Sequence, residues 1–269
     1  MSLGFSVDEL LPRARGGGQL KMGLVRLTED EWLQSKPDHA DRRKGFEDWP
    51  EGVQLTPEAD APGRELAAML GIAIGPDQAA LPEVAIHHHE DMCLLTKPEG
   101  SDPYRLIGAA VAWPTDWYPK DKIGLPLRAL HAPIAGYEEQ LATGVDRFMD
   151  TLKPGAIYGR CNWFITPTGD RRWLTDAKAE DDFRHVTALN AGETLFVRSE
   201  RQTLRRLPQT GAILFTIGVY VAPLGSLNGA NIAVLAKSVQ TLLDGEGDRR
   251  GAPAYADSLT SYAANRSLA

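Results

Sequence analysis

Along the chain, apolar residues are spaced first irregularly, then in alternation, then helically, and these changes divide it into three parts. Over residues 1–82, short apolar stretches are broken by polar segments that carry Pro or Gly. Gly16-Gly17-Gly18 predicts a flexible break, and Thr28-Glu29-Asp30-Glu31 predicts a helix start of the capping-box type. Pro57 and Pro62 fragment the next stretch, leaving one short apolar-faced helix over 64–70 before Gly71. So fragmented, this part reads as a helical lid rather than an independent domain.

From residue 83 the pattern predicts strands over 83–97, 104–113, 156–166, 193–207 and 212–221. The turn-rich segments 98–103 and 208–211 are short enough for antiparallel hairpins. A long crossing segment, 114–152, separates the second strand from the third. It ends in a helix whose apolar face is Tyr137, Leu141, Val145, Phe148, Met149 and Leu152. After residue 226, a C-terminal helix over about 228–243 presents Ile232, Leu235, Val239 and Leu242, stops at Gly245 and leaves a polar tail. Two strands, a helical crossing, three strands and a helix predict an α+β chain: an N-terminal extension (1–82), a five-stranded antiparallel core (83–225), and a C-terminal helix with its tail (226–269). The split of two strands and three, with an insert over one face, is the arrangement of PAS domains, whose ligands sit between sheet and insert.

A chain of 269 residues buries enough surface to fold without a metal or disulfide staple. Its net charge of −7 argues against a phosphate-backbone partner, so no nucleic acid is expected. The two cysteines, Cys93 and Cys161, are far apart and outside any Cys-x-x-Cys pair, which fits a reducing compartment. The N-terminus, with Asp8 and Glu9 and no basic start, does not read as a signal peptide, and no apolar run is long enough to span a membrane. A cytoplasmic protein is expected.

Glycine-rich phosphate loops and the nucleophile elbow are both missing from the sequence, so candidate chemistry rests on histidines and on charges inside strands. In His87-His88-His89-Glu90-Asp91, a strand would put His87, His89 and Asp91 on one face, a metal-ligand set for a non-haem metal enzyme; a solvated polar strand gives the same letters. His131 ends the crossing segment just ahead of its helix and could ligate haem iron, or simply be satisfied by backbone. Along 196–208, alternation puts Arg198, Glu200 and Gln202 on one face and Arg201, Thr203 and Arg205 on the other. Such groups must pair or line a polar pocket if the strand is interior; a solvated edge strand with an Arg–Glu pair gives the same letters. Arg160 and Asn162 share a face of the third strand beside Trp163, and Lys122 lies in the crossing segment; the two cations suit ligand carboxylates such as haem propionates, or are simply surface charges.

Several segments together resemble the haem-dependent oxidative N-demethylase alpha subunit-like family. They are Glu90–Leu95, Trp113-Pro114, Lys122–Gly124, Leu130–Pro133 with Tyr137, Val145–Phe148, Arg160–Trp163 and Glu200–Pro208, in the same order, within a resemblance that spans about 22–224. The resemblance implies a PAS-fold haem b subunit with a histidine ligand, for which His131 is the choice, and oxygen bound on the opposite side. It implies oxidation of a small secondary amine, dimethylamine-like, to a primary amine and formaldehyde, with electrons from NADPH passing through FMN and a [2Fe–2S] centre on partner reductase subunits. Glu200 is then the carboxylate for the cationic amine, oriented by Arg198 or Arg201, with Trp113 or Trp163 as an aromatic face. One position departs from the pattern: Gly218 stands where the family is expected to carry arginine. A haem-binding PAS module that senses or stores without turnover would keep His131 and need no amine site.

Overall fold

The computed structural model describes residues 3–14, 20–35, 39–98, 103–242 and 245–267. The predicted glycine break at 16–18 and most of the 98–103 turn lie outside them. Seven antiparallel strands form one open sheet: β1 (Val25–Leu27), β2 (Val53–Leu55), β3 (Asp91–Thr96), β4 (Arg105–Ala110), β5 (Ile157–Thr166), β6 (Phe196–Arg206) and β7 (Ile213–Pro223). Their order is β1-β5-β6-β7-β3-β4-β2. The chain is therefore α+β, but among the described residues its sheet has seven strands where five are expected from the pattern. Both additional strands are three residues long and come from the N-terminal part, each pairing with one edge of the middle five. Runs this short carry no visible alternation, and only the exposed edge of the neighbouring strand makes them strands.

The long strands arise from their patterns. β5 alternates buried and half-buried positions along nearly all its length. The Leu207–Ala212 hairpin closes with Leu207 N–H donating to Ala212 O at 2.8 Å, and Gly211, at φ +72°, supplies the left-handed residue the turn requires. Register across the sheet sets Asn162 beside Glu200 and Glu200 beside Val219, with Arg160, Gln202 and Ile217 in the next such row.

The expected strand over 83–97 is corrected at its first half. Ala80–Ile86 is a helix, His87 caps it, and the strand begins only at Asp91. Ala80, Leu81, Val84 and Ala85 are all buried and seat this helix against the helix Asp60–Met69. A short apolar run satisfies both periodicities, and packing against that neighbour decides between them. The polar tail expected after the C-terminal helix is corrected as well. Gly229–Gln240, capped where Asn228 accepts from Asn231 N–H, is covered by a second helix, Ala256–Ser267, through buried Leu259 and Ala263. The predicted helix of the crossing segment is present as a π-helical turn, Glu138–Ala142, running into Thr143–Thr151. At 28–31 the capping-box start is present, with Glu31 accepting from Thr28 N–H at 3.0 Å.

Candidate functional site

One face of the sheet and the crossing segment enclose a cavity of about 570 Å³. Even positions of β5 and β6 and odd positions of β3 and β7 form its floor: Arg160, Asn162, Glu200, Gln202, Cys93 and Phe215. Residues 20–24 and the turn around Glu246–Arg250 close its sides. Much of the wall is apolar, including Leu95, Leu106, Leu204, Phe148 and Met149.

His131 comes directly after the one-turn helix Leu127–Leu130 and lines this cavity. Its Nδ1 lies 2.8 Å from Leu127 O; a carbonyl can only accept, so Nδ1 carries the proton and Nε2 keeps its lone pair. Burial holds the imidazole below its ordinary range, and the neighbouring Arg160 and Lys122 depress it further. Tyr137 stacks parallel on the ring, 4.4 Å away at 9°. The residue is thus a neutral, oriented imidazole of the kind that ligates metals, its other nitrogen tied to a carbonyl.

The cations of the cavity differ in their pairing. Arg249 and Arg250 both bond Glu246, at 2.7 Å each, and Arg250 lies over the Trp163 ring at 5.0 Å from its centroid. Arg160, in contrast, has no ion pair among the described residues, and its Nε is buried without a hydrogen-bond partner. Burial lowers its pKa, the cost of a guanidinium held away from water. Lys122 also lines the cavity without an ion pair among the described residues.

Glu200 is buried on the floor, where its Oε1 accepts from Thr115 Oγ1 at 2.5 Å and its Oε2 from Gln202 Nε2 at 2.9 Å. Arg198, on the same face, is fully buried and donates to Thr115 Oγ1 and to the carbonyls of Trp113 and Pro114 rather than into the cavity. Arg201 lies on the opposite face. It is spent on the carbonyls of Glu31 and Trp32 and sits over Phe5, so Glu200 and Arg201 are not brought together. Trp113 is likewise outside the cavity, under Arg42 and Arg171. Gly218 pairs with Arg201 on that outer face; a Cβ there would meet the Tyr220 ring at 3.2 Å and Glu90 Cγ at 3.5 Å, so the position faces away from the cavity.

The His87/His89/Asp91 set does not assemble, because its first two members are not in a strand. His87 rests edge-on against His39 at 4.2 Å, and His89 Nε2–H donates to Val219 O at 2.9 Å. Asp91 is taken by Arg42 at 2.9 Å and by the N–H groups of Ala112 and Trp113. Among the described residues no group of three His, Cys, Asp or Glu is arranged to hold a metal ion. No helix among them is long and apolar enough to cross a membrane.

Two members of the site escape the hydrophobic pattern. Thr115 forms a parallel bridge with Trp173, and Asp116 is the single non-glycine residue at positive φ (53°) among the described residues. Asp116 lines the cavity, and burial raises its pKa. The signal for both is local: the aromatic, proline-containing stretch Trp113-Pro114-Thr115-Asp116-Trp117 directly after a strand is where a sharp re-entrant turn is expected. A family model described as haem-dependent oxidative N-demethylase, alpha subunit-like, matches residues 38–259.

Proposed function

The chain belongs to the haem-dependent oxidative N-demethylase alpha subunit-like family, and on that premise we propose that it holds haem b in the cavity and removes a methyl group from a small secondary amine such as dimethylamine. The observation that carries this reading is His131, a neutral imidazole with its tautomer fixed, sharing one cavity with an arginine whose buried Nε has no partner. A volume of about 570 Å³ falls within the roughly 300–1,000 Å³ that cofactor sites occupy. Its largely apolar wall suits a macrocycle.

In this reading His131 would ligate through Nε2, Arg160 and Lys122 would hold the propionates, and Asn162 and Trp163 would border the group. Haem, when bound, supplies a redox-active iron and a place for oxygen. The chain's own task is to hold the cationic amine, for which Glu200 offers the remaining lone-pair directions of a carboxylate whose two oxygens accept from Thr115 and Gln202. That anchored carboxylate favours turnover over a sensing module, which has no use for an amine site. The products are a primary amine and formaldehyde. Electrons come from NADPH through FMN and a [2Fe–2S] centre on partner subunits in the cytoplasm. The same reading takes the middle strands, in the order β5-β6-β7-β3-β4 with the crossing segment over one face, as a PAS-like platform.

The test is an absorption spectrum of haem-loaded protein before and after dithionite, for the wild type and for His131→Ala. A Soret band whose reduced form shifts, and which is lost or displaced in the variant, is expected. A wild-type chain that takes up no haem overturns the reading; a band untouched by the substitution removes His131 from the iron.

A further inference from the structure

Glu200 is buried in the cavity floor with no cation in ion-pair contact among the described residues, although Arg198 emerges from the same face of β6 two residues earlier. The guanidinium passes the carboxylate by. Its Nε donates to Thr115 Oγ1 at 2.5 Å, and a second nitrogen donates to Trp113 O at 2.7 Å and Pro114 O at 3.0 Å. A hydroxyl has one hydrogen to give. With Arg198 donating into its lone pair, Thr115 turns that hydrogen toward Glu200 Oε1, 2.5 Å away. Gln202 Nε2–H meets the other oxygen at 2.9 Å. Each carboxylate oxygen thus receives one donor.

We infer that Thr115 is a positioning residue that holds the Glu200 carboxylate in one orientation, with Arg198 setting the direction of the hydroxyl. The inference deepens the reading of Glu200 as the amine-binding group and rests on it. A direct, bidentate contact from Arg198 would occupy both oxygens and neutralise the charge that a protonated amine needs. Relay through a neutral hydroxyl leaves about two of the four lone-pair directions open and keeps the Arg198 guanidinium out of ion-pair contact with the carboxylate. Thr115 itself is fixed by its backbone. Arg198 grips the two preceding carbonyls, Thr115 bridges to Trp173, and Asp116 turns the chain back through φ 53°. The device selects cations over neutral molecules of the same size.

Titration calorimetry of dimethylammonium chloride into the haem-loaded full chain tests this. Thr115→Val keeps the shape and removes the hydroxyl, so binding is expected to weaken about ten- to a hundredfold, the usual worth of a hydrogen bond to a charged group. Thr115→Ala, in which no second methyl has to fit, must show the same loss. Thr115→Ser is expected to restore affinity to within about threefold, with an unchanged Soret band and melting temperature. Glu200→Gln, run beside them, sets the loss when the charge itself is gone. Wild-type affinity in Thr115→Val and Thr115→Ala, with binding lost in Glu200→Gln, overturns the positioning role and leaves Glu200 in place. Equal losses in the serine and valine variants also overturn it, because a methyl contact would then be responsible. Full affinity in Glu200→Gln, or no binding by the wild type, removes the amine reading and the inference with it.

Discussion

Replacing Asp91 by Asn separates a structural carboxylate from a metal-binding one. Asp91 and Arg42 are each 1% exposed and 2.9 Å apart. The carboxylate also accepts from Ala112 N–H at 2.8 Å and Trp113 N–H at 3.0 Å, so three donors converge on its two oxygens. An amide of the same shape turns an NH₂ toward one of those donors and leaves a buried guanidinium uncompensated. Breaking a buried pair in this way costs about 3–5 kcal/mol. For a domain of this size each kcal/mol moves the midpoint by about 2–4 °C, so Asp91→Asn should melt roughly 6–20 °C lower by circular dichroism. The damage should reach the site as well, because Ala112 and Trp113 lead directly into Thr115. Metal content, measured on the same samples, should not change. A loss below about 1 kcal/mol would refute the clamp, and a variant that kept its stability but lost a bound metal would reinstate the ligand set at 87–91.

Three further substitutions test separate parts of the molecule. Arg160→Gln should weaken haem binding about ten- to a hundredfold in a titration tracked at the Soret band; unchanged affinity would show that the unpartnered guanidinium does not meet a propionate. Burial pushes the Glu90 carboxyl up to about 7, so the folded chain holds a proton that the unfolded chain releases near the usual 4.5. The stability from this group is complete below about 4.5 and is lost as pH rises through about 7; relative to the wild type, Glu90→Gln should gain about 2–3 kcal/mol between pH 5 and 8 in urea unfolding, and a flat difference would contradict the assignment. Leu259→Ala should cost about 2–5 kcal/mol if the last helix is part of the core, whereas a frayed tail would tolerate it.

The long strands β5, β6 and β7, their tight hairpin, the helix of the crossing segment and His131 ahead of it were legible in the sequence, because each rests on a local rule: alternation, turn chemistry or a repeating apolar face. So was the partition of Arg198, Glu200 and Arg201 between two faces, which a period of two dictates once the strand is granted. The edge strands Val25–Leu27 and Val53–Leu55 were not legible, being too short to carry a pattern and created by the hydrogen-bonding edge they meet. Nor was the helix Ala80–Ile86, whose apolar run fits either period until the helix Asp60–Met69 covers it. Tertiary structure alone decided which charges are spent and which are free. Arg201 reaches backbone carbonyls, Asp91 reaches Arg42 and Arg198 reaches Thr115, while Arg160 makes no side-chain hydrogen bond or ion pair among the described residues. Pairing depends on distances between residues far apart in the chain, and a linear pattern carries faces and turns but no such distances.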